Sequence, residues 1–114
     1  MTSPDSTAHA WEIAASVYAD EIEADVAHLR AGRHRFLPLE LSYLQDLATW
    51  CRRAVHLQCS HGFEALARWR LGAREVVGLD RSPAMLAQAR AKAAALGAPA
   101  TWIEADILAP QPAW

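Results

Sequence analysis

Ala54–Asp106 reads AVHLQCSHGFEALARWRLGAREVVGLDRSPAMLAQARAKAAALGAPATWIEAD. Short apolar runs alternate here with longer helical patterns, and acids follow two of the runs. Ala54–Leu57 is too short and uniform for an amphipathic helix, so it reads as a buried strand. The loop Gln58-Cys59-Ser60-His61-Gly62 leads into a helix from about Gly62 to Leu71, which Gly72 ends. Glu75–Asp80 is a second strand. Ser82 and Pro83 form an N-cap with proline in the first turn, opening a helix that runs to about Leu96 and stops at Gly97 and Pro99. Thr101–Glu104 is a third strand. This alternation predicts an α/β fold with a parallel sheet and right-handed crossovers.

Upstream, Trp11, Ala15, Tyr18, Ile22, Val26 and Leu29 recur at steps of three or four. They predict a helix from about Ala8 to Ala31, ended by Gly32 with Arg30 in its last turn. Asp20, Glu21, Glu23 and Asp25 read as its solvated face, and Arg33 and Arg35 as solvated surface or, alternatively, as cations facing a carboxylate of cofactor or substrate. Pro38–Trp50 predicts a second helix with Leu41, Leu44, Leu47 and Ala48 on one side. The chain thus divides into a helical extension, 1–53, and a partial ligand-binding domain, 54–114. A doubly wound sheet has roughly five to seven strands with both faces covered. Three strands therefore read as the front half of a larger domain.

Bulk properties narrow the function classes. The chain has 114 residues, 53% of them hydrophobic, which suits a packed core rather than a disordered segment. A net charge of −2 gives no footprint for nucleic acid or an anionic membrane. Lys92 is the sole lysine among 11 Lys and Arg residues. Cys51 and Cys59 make no disulfide framework, and the N-terminus has no signal-peptide pattern. No apolar run approaches the roughly 18 residues that span a bilayer. A cytoplasmic location is expected.

Ligands of open parallel sheets bind at the carboxyl ends of the strands. There the Gln58–Gly62 loop lets backbone N–H groups approach a ligand. Asp80 ends the second strand, where an acid accepts hydrogen bonds from ribose hydroxyls. It also reads as an acid beside a helix start. Asp106 reads as a ligand contact or as a turn-stabilising acid. The dinucleotide fingerprint G-x-G-x-x-G is not met, since Gly62 is the only glycine in the loop. His56, Cys59 and His61 lack a fourth ligand for structural zinc, so no metal is assigned. Cys59 has no evident partner base and reads as a small loop or core residue.

In layout the chain resembles the class I S-adenosylmethionine-dependent methyltransferases. Their first strand ends in a loop like E-x-G-x-G-x-G, which matches His56-Leu57-Gln58-Cys59-Ser60-His61-Gly62. His56 replaces the acid, and Gln58 and Ser60 replace two glycines. Asp80-Arg81-Ser82-Pro83-Ala84-Met85-Leu86, followed by Ala89-Arg90, is similar to the family's D-x-S-x-x-M-L…A-R run. Trp11-Glu12-Ile13-Ala14-Ala15-Ser16-Val17-Tyr18 is similar to its W-x-x-x-A-x-x-Y segment.

The resemblance implies a Rossmann-like sheet, here three strands of seven. It implies S-adenosylmethionine as cofactor, held by the loop residues Gln58, Cys59, Ser60 and Gly62. Asp80 would bind the ribose with Arg81 beside it. Met85 or Ala84, with Ala105 and Asp106, would lie at the adenine, and Tyr18 would help close the pocket. No catalytic residue is assigned, because the acceptor site of such enzymes is built beyond the third strand. The function read here is the cofactor-binding portion of a methyltransferase acting on a small molecule, inactive as this fragment alone. The alternative is a non-catalytic half-domain that binds partners or oligomerises, its open sheet edge meeting another copy or a missing C-terminal half. A nucleotide-binding oxidoreductase fragment is a weaker rival, disfavoured by the glycine spacing.

Overall fold

The computed structural model describes residues 7–10, 12–13 and 21–108. Trp11 and Tyr18 lie outside them. The elements are α1 (Ile22–Arg30), α2 (Pro38–Tyr43), α3 (Leu47–Trp50), β1 (Arg53–Leu57), α4 (Phe63–Arg70), β2 (Glu75–Asp80), α5 (Pro83–Leu96) and β3 (Ala100–Glu104). Residues 7–10 and 12–13 are also helical.

The strands form one parallel sheet in the order β1-β2-β3, with Val55 opposite Val77 and Leu79 opposite Ile103. This is the Rossmann-like α/β arrangement the sequence predicts. β2 is central and buried from Val76 to Leu79, as suits a parallel strand flanked on both edges. Among the described residues β1 has a single neighbour, and Val55 and Leu57 on it stay 38% and 46% exposed, so the strand expected to be buried is instead a partly exposed edge strand. Both crossovers step the same way across the sheet, so right-handed connections place α4 and α5 over one face. The core fills that face. Phe63, Leu66 and Ala67 of α4 and Ala93 of α5 cluster with Val76, joined by Leu29, Phe36 and Leu47 from upstream.

The boundaries around β2 and α5 match the sequence. Ser82 Oγ accepts the Met85 N–H at 3.1 Å, Pro83 occupies the first turn, and Gly97 ends α5 with φ of +67°. Gly78 meets a steric need. A Cβ there would lie 2.5 Å from the Trp102 ring and 2.8 Å from Cys59 Sγ. Glycine in mid-strand thus lets Trp102 lie against β2 beneath the loop.

Two upstream expectations are corrected. The predicted helix Pro38–Trp50 is two short helices, because Asp46 adopts φ of +58° and breaks the run. Aspartate tolerates that left-handed conformation, and Thr49 Oγ1 fixes the turn by donating to the Asp46 carbonyl at 2.7 Å. The predicted solvated face of the N-terminal helix also differs: Glu21 and Glu23 are exposed, but Asp25 is only 1% exposed. α1 is seated by reciprocal contacts at its C-terminus. Arg70 Nε donates to the Leu29 carbonyl at 2.7 Å, and Arg30 donates to the Ala95 carbonyl at 2.7 Å.

Candidate functional site

The site grows from the loop after β1. Its positions 58, 60 and 62 all have left-handed backbone, with φ of +55° at Gln58, +54° at Ser60 and +84° at Gly62. These are the three places where the family pattern carries glycine. An L-residue pays about 1–2 kcal/mol for that conformation, so Gln58 and Ser60 hold a glycine-like course under strain. The residues between them tie the loop down. Cys59 N–H donates to the Leu79 carbonyl at 2.8 Å and extends the β1–β2 pairing, and Gly62 N–H donates to the Cys59 carbonyl at 3.0 Å. Gly62 cannot be replaced freely, because a Cβ would lie 2.6 Å from Ala89 Cβ.

Asp80 stands opposite this loop. Its Oδ2 accepts the Ser60 N–H at 2.8 Å, and its Oδ1 accepts the Ser82 N–H at 2.9 Å. Asp80 therefore binds the start of α5, as the reading of an acid beside a helix start expects, and it also faces the loop. A carboxylate oxygen has two lone pairs, so each oxygen keeps one acceptor site beyond these bonds. The Asp80 carbonyl accepts the Ala105 N–H at 3.0 Å, which places the chain after β3 alongside.

Loop, acid and post-β3 chain enclose a cavity of about 420 Å3. Gln58, Ser60, Asp80, Arg81, Ser82, Ala105 and Asp106 line it, with Thr7 and Ala8 from the N-terminal segment and Ile107 and Leu108 beyond β3. The volume falls within the roughly 300–1,000 Å3 of small-ligand sites. Of the residues singled out from sequence, Gln58, Ser60, Asp80, Arg81, Ala105 and Asp106 are thus brought together around one cavity. Cys59, Gly62 and Met85 lie buried beneath it, 2% exposed for Cys59 and 1% for Met85. Ser60 Oγ approaches Met85 Sδ at 3.6 Å from above. Burial, with the Asp80 charge adding, pushes the Cys59 thiol up to about 12. It is therefore a packing residue with no accessible thiolate.

Four residues to which the sequence assigns no role in the site also shape it. Glu12 reaches the start of α5, where its Oε1 accepts from Ser82 Oγ at 2.6 Å and lies 3.4 Å from the Ala84 nitrogen. Asp25 and Lys92 are buried behind the loop and meet its His61, whose side chain is 15% exposed. Lys92 Nζ donates to Asp25 Oδ2 at 2.8 Å and to the His61 carbonyl at 3.0 Å, and lies 2.6 Å from His61 Nδ1. An ammonium can only donate, so Nδ1 accepts and the imidazole is neutral with its proton assigned to Nε2. Burial first, then Lys92, holds His61 below its ordinary pKa. Arg35, expected on solvated surface, donates to Asp25 Oδ1 at 3.1 Å. A signal for this cluster was present. Asp25 sits three residues after Ile22 and four before Leu29, and Lys92 sits three after Ala89. Each charge lies on an apolar stripe, and the two signs are opposite.

The methyltransferase-domain family model matches residues 54–113, more than half of the chain. No curated protein matches it. Among the described residues no helix is long and apolar enough to cross a membrane.

Proposed function

The chain belongs to the class I S-adenosylmethionine-dependent methyltransferase family, and we propose that its cleft binds S-adenosylmethionine for methyl transfer to a small-molecule acceptor. The observation that carries this reading is Asp80, bonded at 2.8 Å to the left-handed loop and facing a cavity of about 420 Å3. When bound, the cofactor supplies an electrophilic methyl on a sulfonium, so the protein's part is orientation and electrostatics.

Each wall residue has a task in this reading. Asp80 accepts from the ribose hydroxyls with the lone pairs that Ser60 and Ser82 leave. Ala105 and Asp106 contact the adenine, next to the Ala105 N–H that is held on the Asp80 carbonyl. Gln58 and Ser60 present backbone and side-chain polar groups to the amino-acid end. Arg81, exposed on the rim, offers a cation for a carboxylate. A general base enters only if the acceptor must lose a proton.

Calorimetric titration of the protein with S-adenosylhomocysteine tests the reading. Binding by the wild type is expected. Asp80→Asn keeps the shape but exchanges one accepting oxygen for a donor, so affinity should fall by about 1–3 kcal/mol, or roughly 5- to 150-fold. Absence of binding to the wild type, or unchanged affinity in the variant, overturns it.

A further inference from the structure

We infer that Lys92 is a positioning residue for the ligand loop: joined to Asp25, its ammonium grips His61 and so holds Gln58–Gly62 in its left-handed course. Lys92 is 0% exposed, in the middle of α5. A buried ammonium is costly, and an apolar side chain of similar length would fill the same helix face without that cost. What the lysine adds is donors. An ammonium has three, and here each has a partner: Asp25 Oδ2 at 2.8 Å, His61 Nδ1 at 2.6 Å and the His61 carbonyl at 3.0 Å. Two of the three lie on one loop residue.

The anchor for this grip comes from outside the β1–β3 segment. Asp25 belongs to α1, and its second oxygen accepts from Arg35 at 3.1 Å. The Arg35 guanidinium lies 3.8 Å from the centre of the Phe63 ring, the first residue of α4. His61 and Phe63 flank Gly62, so the two cations hold the loop-to-helix junction from both sides. On the other rim Asp80 holds Ser60 at 2.8 Å. Strained torsions persist only where the surroundings over-determine them, and this loop has two non-glycine residues with positive φ. The clasp supplies the restraint from behind, Asp80 from in front.

Loop-holding stands on the geometry alone; its consequence for ligand affinity rests on the proposed cofactor reading. The test separates the two. Asp25→Asn/Lys92→Met in the full chain removes both charges together, so no buried ion is left alone, and the fold is expected to melt within a few degrees of the wild type. Amide hydrogen exchange at Ser60 and Gly62 should then rise about tenfold, with Val77 and Leu79 unchanged. Affinity for S-adenosylhomocysteine should fall about fivefold or more. Lys92→Gln, which retains Asp25 and its Arg35 pair, should give the same exchange pattern and covers the case of a double variant that does not fold. Unchanged loop exchange in a folded variant overturns the inference. Failure of the wild type to bind S-adenosylhomocysteine overturns the cofactor reading instead, and the exchange result then judges the clasp by itself.

Discussion

Replacing Gln58 and Ser60 by glycine should stabilise this protein, although both changes remove side chains. Their φ values of +55° and +54° lie in the left-handed region. An L-residue there pays about 1–2 kcal/mol, while glycine gives back about 0.5–1 kcal/mol through its larger loss of backbone freedom. The net gain is about 0.5–1 kcal/mol at each position. At Ser60 it is trimmed by loss of the 3.6 Å contact with Met85 Sδ. The two sites are close in sequence and share the loop, so the double variant need not show the full sum. Gly62→Ala supplies the opposite sign, because φ is +84° and the new Cβ would lie 2.6 Å from Ala89 Cβ and 3.1 Å from Ala89 Cα. Its cost should exceed about 2 kcal/mol. Urea unfolding followed by tryptophan fluorescence reads all four proteins, and a gain of 1 kcal/mol corresponds to roughly 4 °C or more in melting temperature. If Gln58→Gly and Ser60→Gly each destabilise by 1 kcal/mol or more, the loop does not hold these torsions and the argument is wrong.

Two further outcomes are expected. Burial holds His56 and His61 below their usual value of 6.5, reinforced by Arg68 at His56 and by Lys92 at His61. The unfolded chain then binds more protons than the folded one once the pH drops below about 6.5, so stability should be full above that pH and decline toward pH 5. Urea midpoints across pH 5–8 check this, and His61→Gln should flatten the decline. Cys59, with its thiol pushed up to about 12 and 2% exposed, should resist iodoacetamide at pH 8 in the folded state and react only as fast as the protein opens. Peptide mapping by mass spectrometry reads the rate, and prompt alkylation of Cys59 contradicts the burial.

What the sequence made legible is local. Ser82-Pro83 and Gly97 mark α5 because capping and proline chemistry act over one turn. EVVGLD announces β2 because a central parallel strand must be apolar on both faces. Asp80 and the loop follow from those two elements, since strand ends fix where the crossovers turn. The break at Asp46 was not legible, because no glycine or proline marks it and an aspartate enters the left-handed conformation only where its context favours it. Nor was the burial of Asp25. Its partner Lys92 lies 67 residues away, and only the folded arrangement of α1 against α5 gives the buried carboxylate its counterion. The stripes carried the hint, but an acid among other acids on a helix reads as solvated until its counterion is known.

The loop also separates two demands that glycine usually meets together. One is torsional: positions 58 and 60 need positive φ, and Gln58 and Ser60 supply it at an energetic cost. The other is steric: position 62 needs both positive φ and the absence of a Cβ, because Ala89 and Trp102 close in on it. A side chain is therefore accommodated at 58 and 60, which line the cavity, and excluded at 62, where the helix begins. This explains why the glycine-poor reading HLQCSHG still yields the course of a glycine-rich loop. The strain at 58 and 60 has to be held by neighbours, and beside the backbone bond from Cys59 to Leu79 the side-chain holds are Asp80 on one side and the Lys92–Asp25 pair on the other. Loss of either hold should thus be felt most in a variant that keeps Gln58 and Ser60, and least in one where both are glycine. Combining Gln58→Gly/Ser60→Gly with Lys92→Gln puts that coupling to measurement, since independent effects would simply add.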